Sequence, residues 1–442
     1  MKSFSEMGIQ VPEILLPKNL DVSTWSVVAC DQYTQDKEYW KSVEKTAEEK
    51  PSTLNIILPE VYLNDSDKPE RIQKIRKTME SYLETGIFSE PKKEFVYIER
   101  KTAYGRVRRG LIAAIDLETY EWKPFSKALI RATEATIPSR IPPRMEIRRG
   151  APLETPHIML LVNDPELSLV EKTGERVKNN PPLYSGNLMQ NSGSINGWAV
   201  SSAEDIEFVR STLEKIAEKN TAPDGSTFLF AVGDGNHSLA TAKAVWDEYK
   251  AQNPEDKESA VRYALVEIVN IFDSGLTFEP IHRVVFNVDS EALIQNIAEN
   301  LGGSEMQVES FCELEKSVKE SDSDFGFVFT KNGKQNFVLL HTKINALAVS
   351  HFQPVLDDFL KSASEKVEKE SSELPEIDYI HGSSEVLRLG EKDNTIAILL
   401  PPVAKDSFFA TINGRGPLPR KSFSMGEADE KRFYLECRKL FS

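Results

Sequence analysis

Phe228-Leu229-Phe230-Ala231-Val232-Gly233-Asp234-Gly235-Asn236-His237-Ser238-Leu239-Ala240-Thr241-Ala242-Lys243-Ala244-Val245-Trp246 is the stretch on which the reading of this chain turns. It opens on a continuous apolar run, the pattern of a buried strand, and closes on alanines and a Val-Trp pair at helical spacing. Between them lie two glycines, an acid, an amide, a histidine and a serine. A strand that feeds a helix through such a turn directs the first helical N–H groups outward. Those groups, with the helix dipole, favour an anion such as phosphate. Gly233, Asp234, Gly235, Asn236, His237 and Ser238 are therefore candidate phosphate-binding residues. Asp234 is the candidate metal ligand, and His237 can donate to phosphate or move a proton. Turn geometry alone asks for glycine and for an Asn or Ser cap, but capping does not ask for His237. The Gly-Lys-Ser/Thr ending of a Walker loop is absent, and so is the three-glycine spacing of the dinucleotide fingerprint.

Upstream, Ile130 to Arg149 packs Arg131, Arg140, Arg144, Arg148 and Arg149 around Glu134, Thr133 and Thr136. Guanidinium forks match carboxylates and phosphates bidentately. The prolines of the segment work against a regular amphipathic helix, which leaves anion binding, or an arginine-rich loop tied to acids elsewhere. Nearer the N-terminus, Trp25 to Ala29 reads as a short buried strand ending at Cys30-Asp31, ahead of a helix from Glu38 to about Lys50. Asp31 and Tyr33 then sit at a strand end, a usual place for chemistry in α/β proteins, unless Asp31 only caps the helix.

The remaining chain reads as alternating elements. An amphipathic helix is expected over 69–88, and a hairpin pairs 95–100 with 107–117. A strand covers 157–162. The polar stretch Asn163 to Asn196 contains a Gly- and Ser-bearing segment, 188–194, suited to a mobile lid. A helix follows over 202–219, and Tyr263 to Asn270 reads as a central strand. Glu279, His282 and Arg283 crowd the entrance to the next strand and can be structural or functional. From Asn287 the chain reads as a smaller α+β unit. It has a hairpin around Lys331-Asn332-Gly333-Lys334, a helix through Phe359, a charged linker from Lys361 to Glu376 and a last helix over 429–440. Arg420 and Lys421, in a late turn, can reach back toward the anion site. The expected division is a main α/β domain over 1–286 and a smaller part over 287–442.

The composition sets limits. Of 442 residues 40% are hydrophobic and 28% charged, as in a globular protein. The formal net charge of -15 argues against nucleic acid as a partner. Cys30, Cys312 and Cys437 are too far apart for a zinc site or a disulfide framework and fit a reducing cytoplasm. The N-terminal residues lack a signal-peptide core, and no stretch has the roughly 20 apolar residues of a membrane span. A cytoplasmic protein is expected.

Together these stretches resemble the DUF1015 family over nearly the whole chain. That family's Asp-Gly-His-His-Arg turn corresponds to Asp234-Gly235-Asn236-His237-Ser238, with Asn236 in place of the first His and Ser238 in place of the Arg. Its His-Glu-x-Thr segment with a following arginine corresponds to Arg131 through Arg144, with Glu134 and Thr136 in register. Its Pro-x-Lys-Ser corresponds to Pro419-Arg420-Lys421-Ser422. Without the turn arginine, an arginine of the 131–149 block has to supply the charge. The strand–Asp-Gly-x-His–helix turn also resembles the phosphate-binding turn of the ParB/sulfiredoxin fold, which includes nucleotide-dependent kinases of free serine.

The resemblance implies an α/β (α+β) protein with a ParB/sulfiredoxin-like nucleotide-binding core. It implies phosphoryl transfer from ATP or ADP to a small hydroxyl compound, with free L-serine first, and Mg2+ near Asp234. Such catalysis is mostly positioning and charge neutralisation. The candidate catalytic residues are Asp31, Glu134 and His237. Arg131, Arg140, Arg144 and Lys421 are further phosphate ligands. Arginines around Glu134 make it the weaker base, so Asp31 is favoured as base and Glu134 as organiser. Hydrolysis of a nucleotide or phosphoester, and nucleotide binding without catalysis by a regulator, are the alternatives.

Overall fold

A computed structural model describes residues 1–48, 50–367 and 373–441. It divides into two compact units, Met1–Thr277 with Met425–Ser442, and Phe278–Ser424. The fold is mixed α/β.

The larger unit is built on a 10-stranded mixed sheet. From edge to edge its path runs Tyr184–Asn187, Ser194–Val200, Phe95–Lys101, Val107–Asp116, Tyr263–Asn270, Met159–Val162, Phe230–Asp234, Ile130–Arg131 and Tyr120–Glu121. Ile9–Gln10 pairs beside Val107–Asp116. Successive residues of a strand face opposite sides, so two cores form. Phe95, Tyr97, Leu111, Ala113, Leu160 and Phe230 meet the helices Ala203–Lys219 and Asn236–Gln252 on one face. Val96, Ile98, Ile112 and Leu265 meet Trp25, Trp40, Ile72 and Ile75 on the other. Tyr263–Asn270 is buried throughout, Glu267 and Asn270 included, and lies mid-sheet.

Glu267 is a carboxylate at the middle of that strand, fully buried. It is held by Arg108 at 3.2 Å and faces Arg432 at 3.5 Å. Arg432 also pairs with Glu436, which accepts from Tyr184. These buried pairs draw the C-terminal segment into the fold, and the helix expected over 429–440 is absent. After a short 3-10 turn, Ala428–Glu430, the chain is extended. Phe433 bridges Val28, Cys437 bridges Leu15, and Arg438–Lys439 pairs with Leu153–Glu154. Residues 431–438 are all buried, and Arg432, Glu436 and Arg438, which suggest a solvated helix face, are spent inside on ion pairs.

Other expectations also change. Trp25 to Ala29 is not a strand: a short helix, Val22–Trp25, capped by Asp21, precedes the single bridge at Val28. The prolines do not prevent a helix over Ile141–Arg148; Pro142 and Pro143 occupy its first turn, where a backbone N–H has no partner to lose. The lid expected at 188–194 is the turn of an antiparallel hairpin between Tyr184–Asn187 and Ser194–Val200. Leu188, Met189 and Ser192 are buried, and Arg100 Nη1 donates to the Ser192 carbonyl at 2.7 Å, which pins it.

The smaller unit is a six-stranded antiparallel sheet ordered Ser304–Gln307, Lys334–His341, Phe325–Lys331, Thr395–Leu399, His282–Phe286, Glu376–Ile380. The helices Ser290–Leu301 and Ala348–Val367 cover one face. The latter runs through the start of the expected charged linker, of which residues 368–372 lie outside the described residues. The described residues contain no helix long and apolar enough to cross a membrane.

Candidate functional site

Strand Phe230–Asp234 carries the turn. Its pairing with Met159–Val162 slips between Val232 and Asp234, a bulge that bends the strand end. Gly233 is there for packing: a Cβ would lie 2.8 Å from Leu161 Cγ and from Met425 Sδ. Gly235 has φ +84°, the left-handed region, and a Cβ would also stand 3.1 Å from Ile158 Cγ1. Helix Asn236–Gln252 starts immediately after it with no side-chain cap. The helices Lys37–Ala47, Ala203–Lys219 and Ser290–Leu301 are capped by Asp36, Ser202 and Asp289. Asp234, Asn236, His237 and Ser238 are half-exposed, so the uncapped N–H groups are within reach of a ligand.

The arginine-rich segment is laid across this helix start. The Thr133 N–H donates to Asn236 Oδ1 at 3.2 Å, and Thr133 Oγ1 donates to the Val232 carbonyl at 2.5 Å. The Ile137 N–H donates to His237 Nε2 at 3.2 Å. Because Nε2 accepts, a neutral His237 carries its proton on Nδ1. Burial, then the charges of Arg140 and Arg144, push the His237 pKa down to about 4, with Asp31 opposing. His237 at neutral pH is thus an uncharged donor through Nδ1–H. Glu134, half-buried, lies between the two residues that stitch the segment to the turn.

The arginines divide. Arg140 is exposed, at the end of the 3-10 turn Pro138–Arg140, and its charge reaches His237. Arg144 also acts on His237 but is committed to Glu60 at 2.6 Å. Arg148 pairs with Glu154 and Arg149 with Glu248. Arg131 is not brought to the turn: its Nε donates to the Ala128 carbonyl at 2.8 Å, and its guanidinium lies 4.4 Å from the Phe228 ring centroid, toward the opposite end of the strand. Lys421 is an exposed residue of the smaller unit with φ 59°.

Asp31 and the C-terminal segment complete the turn's surroundings. The Asp31 carboxylate accepts from Gln32 Nε2 at 3.0 Å, and its charge acts on both Asp234 and His237. Burial pushes the Asp234 carboxyl upward; Lys431 opposes this and Asp31 adds to it. Lys431 Nζ stands 3.6 Å from Asp234 Oδ2. The Cys30 N–H donates to Tyr434 Oη at 3.2 Å, Tyr434 Oη lies 2.8 Å from His157 Nδ1, and His157 Nε2 lies 2.8 Å from Ser238 Oγ.

Sequence reading missed Lys431, Tyr434 and His157. The first two sit in the segment misread as a helix. His157 stands just before strand Met159–Val162, and its one signal is a polar ring at a strand entrance.

Magnesium is held through one or two carboxylates together with phosphate oxygens. Asp234 Oδ2 is buried without a hydrogen-bond partner, and Asp31 is its acidic neighbour. This donor set fits an ion that arrives with a nucleotide. Among the described residues no group of three or more His, Cys, Asp or Glu side chains is placed to hold a metal.

Glu279, His282 and Arg283 belong to the smaller unit. His282 Nδ1 accepts the Leu400 N–H, and Arg283 donates to Gln353 and to the Ile281 carbonyl. A cavity of about 550 Å³ in that unit is lined by Asn287, Asp289, Asn296, Asn300 and Phe359 among others. Its Asp289 is spent on a helix cap.

No curated protein matches the chain. Among solved structures, a free serine kinase in complex with AMP is similar at 11% identity with a TM-score of 0.37, over 74% of this chain and 92% of that one. A conserved hypothetical protein from Pyrococcus furiosus is similar at 11% identity with a TM-score of 0.33, over 73% and 90%. SbnI with a C-terminal truncation, from Staphylococcus aureus, is similar at 7% identity with a TM-score of 0.32, over 71% and 82%. A family model described as protein of unknown function (DUF1015) matches residues 14–359, and the chain belongs to that family.

Proposed function

We propose that the chain is a phosphotransferase that moves a phosphoryl group from ATP or ADP to a small hydroxyl compound, with L-serine the first acceptor to test. The observation that carries this reading is the convergence of Asp31, Arg140 and neutral His237 on an uncapped helix start at a strand end. The nucleotide phosphates accept from the N–H groups of Asn236, His237 and Ser238. His237 Nδ1–H donates to a phosphate oxygen. Arg140 clamps a phosphate or the acceptor's carboxylate. Asp31 takes the hydroxyl proton as the acceptor oxygen bonds to phosphorus and the phosphoanhydride oxygen leaves with the nucleotide. Glu134 organises the arginine segment. Asp234 would be the residue to hold a magnesium ion arriving with the nucleotide, which would supply charge neutralisation at the phosphates.

Product analysis tests this. The purified chain, with ATP or ADP, magnesium and L-serine, is expected to yield phosphoserine. Free phosphate alone moves the assignment to a hydrolase, and saturable nucleotide binding without turnover moves it to a regulator.

A further inference from the structure

We propose that Lys431, delivered by the C-terminal segment, is the cation that holds phosphate at this turn, with Ser238 as its partner donor, oriented through His157 and Tyr434. The inference rests on the proposed function, and two of its residues, Lys431 and Tyr434, lie beyond the stretch matched by the family model, which ends at 359.

The carrying observation is a largely covered lysine that one long ion pair holds beside the turn. The Lys431 side chain is 9% exposed, yet among the described residues its Nζ has one ion pair, at 3.6 Å, and no hydrogen bond. An ammonium has three donors, and a single carboxylate oxygen at 3.6 Å leaves them open to an anionic ligand. Lysine stems elsewhere in the larger unit that are similarly covered end on short contacts: Lys68 reaches Glu146 and Lys243 reaches Asp247, both within 2.8 Å. Lys431 is also not free to swing away. Arg432, next in the chain, is fixed by Glu267 and Glu436 at the sheet centre, and Glu430 by Arg106. The backbone thus aims Nζ at the end of strand Phe230–Asp234, where the helix start offers N–H groups. An anionic oxygen between them satisfies both.

Ser238 is the neighbouring donor. Tyr434 Oη accepts the Cys30 N–H and lies 2.8 Å from His157 Nδ1, and in the proposed arrangement the phenol proton is donated to that nitrogen. His157 then carries its own proton on Nε2 and donates to Ser238 Oγ, so the serine proton is turned outward. His157 and Tyr434 are positioning residues in this scheme. The turn bears a serine where the resembled pattern has an arginine, and Lys431 supplies the missing positive charge from another part of the chain.

Calorimetric titration of the full chain with ADP and with inorganic pyrophosphate tests the assignment. Lys431→Met is expected to weaken both by about tenfold and Lys431→Arg to restore most of the loss. Because Lys431→Met also strips Asp234 of its counter-ion, the same change is made in an Asp234→Asn background. There it must again weaken pyrophosphate by about tenfold relative to Asp234→Asn alone. Equal affinities in that background overturn the role of Lys431. Tyr434→Phe should shift the 15N signals of His157 toward the Nδ1-protonated tautomer, and an unchanged tautomer overturns the relay. A wild type that binds neither probe overturns the proposed function together with this inference. A wild type that binds both while the lysine variants match it overturns the inference alone.

Discussion

Two histidines stand beside arginines in this molecule, and their surroundings differ in kind. In the smaller unit, His282 accepts a backbone N–H, and Arg283 is fully buried, donating to Gln353 and to a carbonyl under the Tyr379 ring. In the larger unit, His237 also accepts a backbone N–H, but around it lie an uncapped helix start and a lysine without hydrogen bonds. Asp234 Oδ2 is likewise left without a hydrogen-bond partner. Burial pushes both imidazoles to about 4, so a shifted pKa does not separate a site from a structural cluster. What separates them is the uncapped helix start that the turn places beside His237.

The largest effect expected from that contrast is on turnover. Asp31→Asn should lower it by about 10²–10⁴-fold, the range for a lost general base, with nucleotide affinity nearly unchanged. Initial rates and calorimetry on the same preparation check this; unchanged turnover would move the role to Glu134. In the cluster of the smaller unit the consequence should be structural. Arg283→Met strands the Gln353 amide oxygen and the Ile281 carbonyl and should cost about 3 kcal/mol in denaturant unfolding, while ADP affinity of the folded protein stays at the wild-type value. Weakened ADP binding there would blur the distinction between the two regions.

Gly235→Ala sharpens the contrast from the backbone side. At φ +84° an added Cβ costs about 1–2 kcal/mol. It also meets Ile158, which should displace the helix start and weaken ADP measurably beyond the loss of stability. The smallest expected effect is on pH dependence. His237 and His282 both titrate near 4 in the fold against an ordinary 6.5. Between those values the unfolded chain binds more protons, so stability is fully present above about pH 6.5, falls as pH drops toward 4, and levels off below. His237→Gln and His282→Gln should each flatten part of that slope in unfolding curves taken from pH 7 to 4.

Much of this was readable from sequence where burial follows hydrophobicity. The apolar run into Gly233-Asp234-Gly235 forces a strand and a tight turn, and the mostly apolar run at Tyr263–Asn270 favours a central strand. The arginine segment was legible as a charged block, whereas Asp31 was read at the end of a strand that is absent. The errors arise where charge goes inside. Lys431, Arg432, Glu436 and Arg438 look like a solvated helix face, but each is buried against a partner distant in sequence or is held by a neighbour that is. Arg131 and Arg144 carry the same residue type as Arg140, and nothing local tells that one stacks on Phe228, one pairs with Glu60 and one stays exposed. The tertiary partners decide the roles, and the residues that complete the turn from 431 and 434 could not be found without them.

The measurement that bears most directly on the central claim is an amide 15N–1H titration of the full chain with ADP and magnesium. Phosphate at the helix start predicts that the largest saturable shifts fall on Asn236, His237 and Ser238, with the Lys431 amide following. Largest shifts around Asn287 to Asn300 in the smaller unit, or no saturable shift at 236–238, would contradict it.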